Sequence, residues 1–219
     1  MSRNIKVLGL ALVAMLAMSA VVASAASATA FSFKAEKVPT QLTGKQHNGN
    51  DIFTTDAGKV ECTEATYAGE QKVTPTNEVL VTPTYSGCTA FGFANTPIDV
   101  NGCQYRFTTV TKESGNFEGS ADIVCPAGKV IEVTAFGCTV TIGSQTGLKK
   151  VTYTNVGAGT TREVTVDVNL TGIVYVEDPG FFNTCANNKV TTSNGTYVGA
   201  GLVTGENPTT KAHQGIFVE

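Results

Sequence analysis

Six cysteines, Cys62, Cys88, Cys103, Cys125, Cys138 and Cys185, are the most chemically capable residues of this chain. Zinc would need close pairs such as Cys-x-x-Cys. The nearest two here, Cys125 and Cys138, are far wider apart. In an oxidising compartment an even number of cysteines reads as a disulfide framework, so three disulfides are expected. The two histidines offer less. His47 stands in Lys45-Gln-His-Asn-Gly49 and His213 in Lys211-Ala-His-Gln-Gly215, both polar and turn-like. They could pair on a metal or a proton only if the ends of the mature chain run side by side; otherwise they are solvated loop residues.

Carboxylate pairs can hydrolyse glycosides when they face each other across a cleft. Glu61 and Glu64 bracket Cys62, and Glu177 and Asp178 close a strand, but each reads first as a solvated surface charge. Ser144 is not in a Gly-x-Ser-x-Gly setting and reads as a turn serine. No glycine-rich loop follows a strand and opens a helix, so nucleotide binding has no support. Sugar-binding surfaces favour aromatic faces. Tryptophan is absent, which leaves Phe91-Gly-Phe93 and Phe181-Phe182 in loop-like contexts, as a contact surface or as caps on the core. The residues therefore nominate no catalytic group, no cofactor and no metal site.

The elements that must position these residues are strands. Residues 31–219 contain 32 Thr, 22 Val and only 5 Leu. β-branched residues lose rotamer freedom in helices and suit the pleated surface of a sheet. Val79, Val81, Pro83 and Tyr85 alternate with Thr82 and Thr84, and Val164, Val166, Val168 and Leu170 alternate with Thr165, Asp167 and Asn169. Such alternation marks half-buried strands. The parity slips at Gly172, where a bulge is expected. Asn48-Gly49, Asn101-Gly102, Asp178-Pro-Gly180 and Asn194-Gly195 are turn signals. An aromatic-x-Gly pattern at Tyr67-Ala-Gly69, Phe117-Glu-Gly119 and Tyr197-Val-Gly199 reads as a device at strand entry.

One hairpin favours a disulfide without deciding it. Pairing Tyr105 with Ile123 and Phe107 with Ala121 gathers apolar residues on one face and sets Cys103 opposite Cys125. A slip of one residue would turn that face outward. Cys62–Cys88 and Cys138–Cys185 follow only from nearness and elimination among the many pairings that six cysteines allow.

The first thirty residues set the compartment. Arg3 and Lys6 precede an uncharged apolar run from Val7 to Ala23, and small residues follow through Ala30. This is the pattern of a cleaved secretory signal peptide over residues 1–30. Ala30 leaves Phe31 as the new N-terminus, with Ala25 and Ala26 as rival cleavage positions. A spanning helix needs about 20 strongly apolar residues, more than this run supplies. Removing Arg3 and Lys6 takes the formal charge from −3 to −5. That acidic balance argues against nucleic acid, whose binding needs a basic stripe. No membrane insertion is expected after cleavage.

Val81-Thr-Pro-Thr-Tyr-Ser-Gly-Cys88, Asn101-Gly-Cys-Gln-Tyr-Arg-Phe107, Val124-Cys-Pro-Ala-Gly128, Cys138-Thr-Val-Thr-Ile-Gly-Ser-Gln145 and Asn194-Gly-Thr-Tyr-Val-Gly199 together resemble a group of secreted, cysteine-containing, β-rich proteins of soil actinobacteria. That resemblance implies a bacterial, extracellular setting and no particular activity. The expectation is a single all-β domain over residues 31–219, an antiparallel sandwich or barrel of about ten strands held by disulfides. Its expected role is non-catalytic: binding or structural, toward an envelope or extracellular ligand. A glycan hydrolase is the alternative.

Overall fold

A strand that is apolar on one face must pack against a second sheet or belong to a sheet closed on itself. This chain takes the second course. The computed structural model describes residues 31–113 and 115–219, and the expected signal peptide lies outside them. The strands are β1 (Phe33–Ala35), β2 (Thr40–Gln46), β3 (Asp51–Thr55), β4 (Gly58–Gln71), β5 (Glu78–Ala90), β6 (Phe93–Ala94), β7 (Ile98–Asp99), β8 (Gln104–Glu113), β9 (Asn116–Val124), β10 (Ile131–Ala135), β11 (Cys138–Ile142), β12 (Gln145–Val156), β13 (Glu163–Pro179), β14 (Thr191–Glu206) and β15 (Ile216–Val218). Among the described residues the one helical element is a single 3₁₀ turn, Gly159–Thr161.

Eight staves close the barrel in chain order. β4, β5, β8, β9, β12, β13 and β14 each pair with the next, and β14 closes on a stave shared end to end by β2 and β3. Both β2 and β3 pair with β4 on one side and β14 on the other, all antiparallel. Full closure removes the unpaired edges that an open sheet exposes. Fifteen strands thus replace the ten expected, because short strands add to the eight staves.

The additional strands close the two ends. β1 and β15, the terminal strands of the described chain, pair with each other and lie across one end. Gln71 holds the Phe33 carbonyl there, and Asn155 holds both the N–H and the carbonyl of Val218. Phe33, Ile216 and Val218 are buried in the core. At the opposite end β11 continues from β13, β10 from β11 and β7 from β10. Ile98, Ile131 and Val133 of this flap face the lumen.

The registers read from alternation are present. Tyr105 opposes Ile123 and Phe107 opposes Ala121. The β13–β14 ladder slips between Thr171 and Ile173, and Gly172 has φ +75°. The disulfides are Cys62–Cys88, Cys103–Cys125 and Cys138–Cys185. The aromatic-x-Gly reading needs correction. Phe117-Glu-Gly119 does open its strand, β9, but Tyr67-Ala-Gly69 and Tyr197-Val-Gly199 lie well inside β4 and β14 and do not mark strand entry. A Cβ on Gly69 would come within 2.4 Å of the Leu80 carbonyl oxygen, and one on Gly199 within 2.0 Å of Asp51 Oδ1. The pattern sets a ring and, two residues on, a gap on the same wall of the barrel.

Candidate functional site

An eight-stranded barrel has an interior just wide enough to be filled by side chains or to hold one small ligand. Here the filling is incomplete. The lumen holds a cavity of about 140 Å³. Its wall is almost entirely carbon, including Leu42, Phe53, Val81, Ile123, Val166 and Leu170. Val166 and Val168, on inward positions of β13, keep accessible surface because they face this space. Gly44, Gly199 and Gly201 line it too, where a side chain would take up the volume.

One polar belt interrupts the carbon. Five neighbouring staves each contribute one residue: Tyr197 from β14, Asp51 from β3, Tyr67 from β4, Tyr85 from β5 and Tyr105 from β8. All five line the cavity. The Tyr67 hydroxyl donates to Asp51 Oδ2 at 2.6 Å and lies 3.2 Å from the Tyr197 hydroxyl. The Tyr85 and Tyr105 hydroxyls are 2.8 Å apart. Asp51 is 2% exposed, and its Oδ1 is buried with no hydrogen-bond partner among the described residues. Burial raises its carboxyl above the usual range, opposed by the Tyr67 and Tyr197 hydroxyls beside it. No Lys, Arg or His among the described residues forms an ion pair with it.

Burial acts on the phenols in the same direction. Tyr105 is pushed up to about 12, and Tyr67, Tyr85, Tyr153, Tyr175 and Tyr197 are also raised. Above the ordinary phenol value of about 10 the unfolded chain gives up protons that the folded barrel keeps, so stability falls as pH rises. The chain has no tryptophan, so its phenolate absorbance is easily read. Alkaline titration is expected to show no phenolate signal near pH 10 and then a cooperative rise coincident with unfolding. Independent titration of most tyrosines near pH 10 in folded protein would contradict the burial.

The histidines take no part in the belt. His213 Nδ1 lies 2.6 Å from the Thr160 carbonyl and Nε2 3.5 Å from Glu163. The His47 N–H bonds Ala200, whereas His213 bridges Glu206 on the same strand. Six residues of strand separate those anchors by about 20 Å. The terminal strands do run side by side, but neither histidine lies in them. No group of three or more His, Cys, Asp or Glu suited to a metal occurs among the described residues. Ser144 accepts the Cys125 N–H at a turn.

Glu61 pairs with Lys59, Glu64 accepts from Ser86, and Asp178 pairs with Lys189. Glu177 is the correction: it is fully buried, not solvated. Its two oxygens accept the N–H groups of Ala57 and Asn187, each at 2.8 Å, so it ties two loops together. None of these four acids lines the cavity. Phe91 packs against the core, but Phe93, Phe136, Phe181 and Phe182 are exposed, Phe181 by 96%. Their rings touch in series, the Phe136 and Phe182 centroids 4.2 Å apart.

The chain matches no family model, no curated protein and no solved structure. The functional reading therefore rests on the lumen. Two of the five belt residues, Tyr85 and Tyr105, carried a signal in the sequence as inward aromatics, and Tyr67 and Tyr197 were marked only by the aromatic-x-Gly pattern. Asp51 carried none, because an aspartate two residues after Asn48-Gly49 reads as turn chemistry.

Proposed function

We propose that this protein is a secreted, non-catalytic binding module that holds one small apolar molecule inside its barrel, at the cell envelope or in the extracellular medium. The carrying observation is the cavity of about 140 Å³ with its carbon wall. Protein interiors are packed nearly as densely as organic crystals, and voids much larger than a water molecule are few. An apolar cavity of about 150 Å³ stays dry and binds benzene. Three disulfides suit an oxidising compartment. No helix of the described residues is long and apolar enough to cross a membrane. The glycan hydrolase alternative needs two facing carboxylates, and Asp51 is the single carboxylate in the cavity wall among the described residues.

Calorimetric titration of the mature protein with toluene tests the reading. One saturable site with a Kd of about 1 mM or tighter is expected. Val166→Phe, which directs a ring into the lumen, should remove that binding while circular dichroism shows the barrel intact. Absence of saturable binding, or equal binding by a folded Val166→Phe, would overturn the proposal.

A further inference from the structure

The cavity wall carries a buried acceptor that lacks a donor, and this deepens the reading above, on which it rests. It is Asp51 Oδ1. Gln46 Oε1 is a second buried oxygen without a partner among the described residues. The two residues flank the break between β2 and β3. Gln46 Nε2 donates to the carbonyls of Gly49 at 2.6 Å and Cys62 at 3.4 Å. Both partners are carbonyls, so the amide is oriented with its NH₂ toward them and its oxygen elsewhere. Cys62 is also the residue that opposes Asp51 in the β3–β4 ladder, although Gln46 itself does not line the cavity.

The phenols lean the same way. The Tyr67 hydroxyl donates a hydrogen bond to Asp51, and its oxygen stands within reach of the Tyr197 hydroxyl. The rings of Tyr67 and Tyr85 meet edge to face, with centroids 6.5 Å apart. Cations are attracted to such ring faces. The one lysine in the cavity wall, Lys34, has its ammonium on Glu219, and Arg106 is held by Asp122, so neither neutralises Asp51.

We infer that the lumen selects a protonated primary amine on a small apolar body, its ammonium bound at Asp51 and its hydrocarbon in the carbon-walled cavity. A primary ammonium has three donors and no acceptor, which complements the unpartnered acceptor in the wall. Burial without a countercharge raises the Asp51 carboxyl, and a cation beside it favours the carboxylate. When the ammonium enters, it supplies that countercharge and forms an ion pair with the Asp51 carboxylate. The charged hydrogen bonds that result are stronger than neutral ones.

The test uses wild-type protein with two probes of equal shape at neutral pH, benzylamine (protonated) and ethylbenzene. Calorimetry is expected to give a Kd for benzylammonium at least about tenfold lower than for ethylbenzene. In Asp51→Asn that ratio should fall toward one. Ethylbenzene binding as tightly as benzylammonium to the wild type would overturn the inference and leave the apolar-lumen proposal standing. Binding of neither probe would overturn both. Should Asp51→Asn fail to fold, the wild-type ratio alone decides.

Discussion

Gly119→Ala is expected to destabilise the barrel by about 1–3 kcal/mol and to lower its thermal midpoint by about 5 °C. Gly119 lies on the inner face of β9, where an added Cβ would come within 1.7 Å of the Thr108 carbonyl oxygen and 2.9 Å of Tyr153 Cε2. The β8–β9 ladder slips between Thr109 and Thr111, just beside Thr108. The Thr108 carbonyl accepts the buried Tyr153 hydroxyl at 2.9 Å. A methyl group at position 119 cannot share that space. Either the β8 backbone moves and strains its ladder, or the hydroxyl of Tyr153, which is 1% exposed, loses its acceptor. Overpacking and an unsatisfied buried hydroxyl each cost about 1–3 kcal/mol. Gly143→Ala is the control, because a Cβ there meets nothing within 4 Å, and its effect should stay within about 0.5 kcal/mol. Thermal melts of both variants decide the matter. A Gly119→Ala midpoint equal to that of the control would show that Thr108 does not stand where the structure places it.

Local pattern carried much of this architecture. Alternation of Val with Thr along β13 identified the inward face, and the parity slip located the bulge at Gly172. The Cys103–Cys125 bridge was legible because the register of one hairpin depends on its own residues alone. Closure was not legible. β14 pairs with β2 and β3, strands at the far end of the chain, and no local sequence rule reports a partner so distant. A sandwich and a barrel share the same alternation, so the sequence left both open. The same distance hid the site. Tyr85 and Tyr105 read as inward aromatics, Tyr67 and Tyr197 as parts of a strand-entry pattern, and only closure brings the four to one level with Asp51. Glu177 failed for a different reason. A glutamate at a strand end reads as solvated, and only the loops bearing Ala57 and Asn187, folded over it, show why it is buried.

Reduction of all three disulfides is expected to unfold the protein at room temperature. Loop-closure entropy assigns about 4 kcal/mol to Cys138–Cys185, whose cysteines are 47 residues apart, and about 3.5 kcal/mol each to Cys62–Cys88 and Cys103–Cys125, at 26 and 22 residues. Domains have only about 5–15 kcal/mol in total. The bridges are not equivalent in place. Cys62–Cys88 and Cys103–Cys125 link neighbouring staves that a ladder already joins. Cys138–Cys185 instead fastens the segment between β13 and β14 onto the flap strand β11, where Thr184 also bonds the Gly137 and Phe136 carbonyls. The Cys138→Ser/Cys185→Ser double variant should therefore lose about 4 kcal/mol and loosen the flap end of the barrel, with amide exchange rising first in β10 and β11. Denaturant melts with and without reductant, followed by exchange on the double variant, test both parts. An unchanged midpoint in reductant would refute the entropic estimate. If reduction does unfold the chain, the barrel can be maintained only in an oxidising compartment, and a lumen ligand would have to be met there.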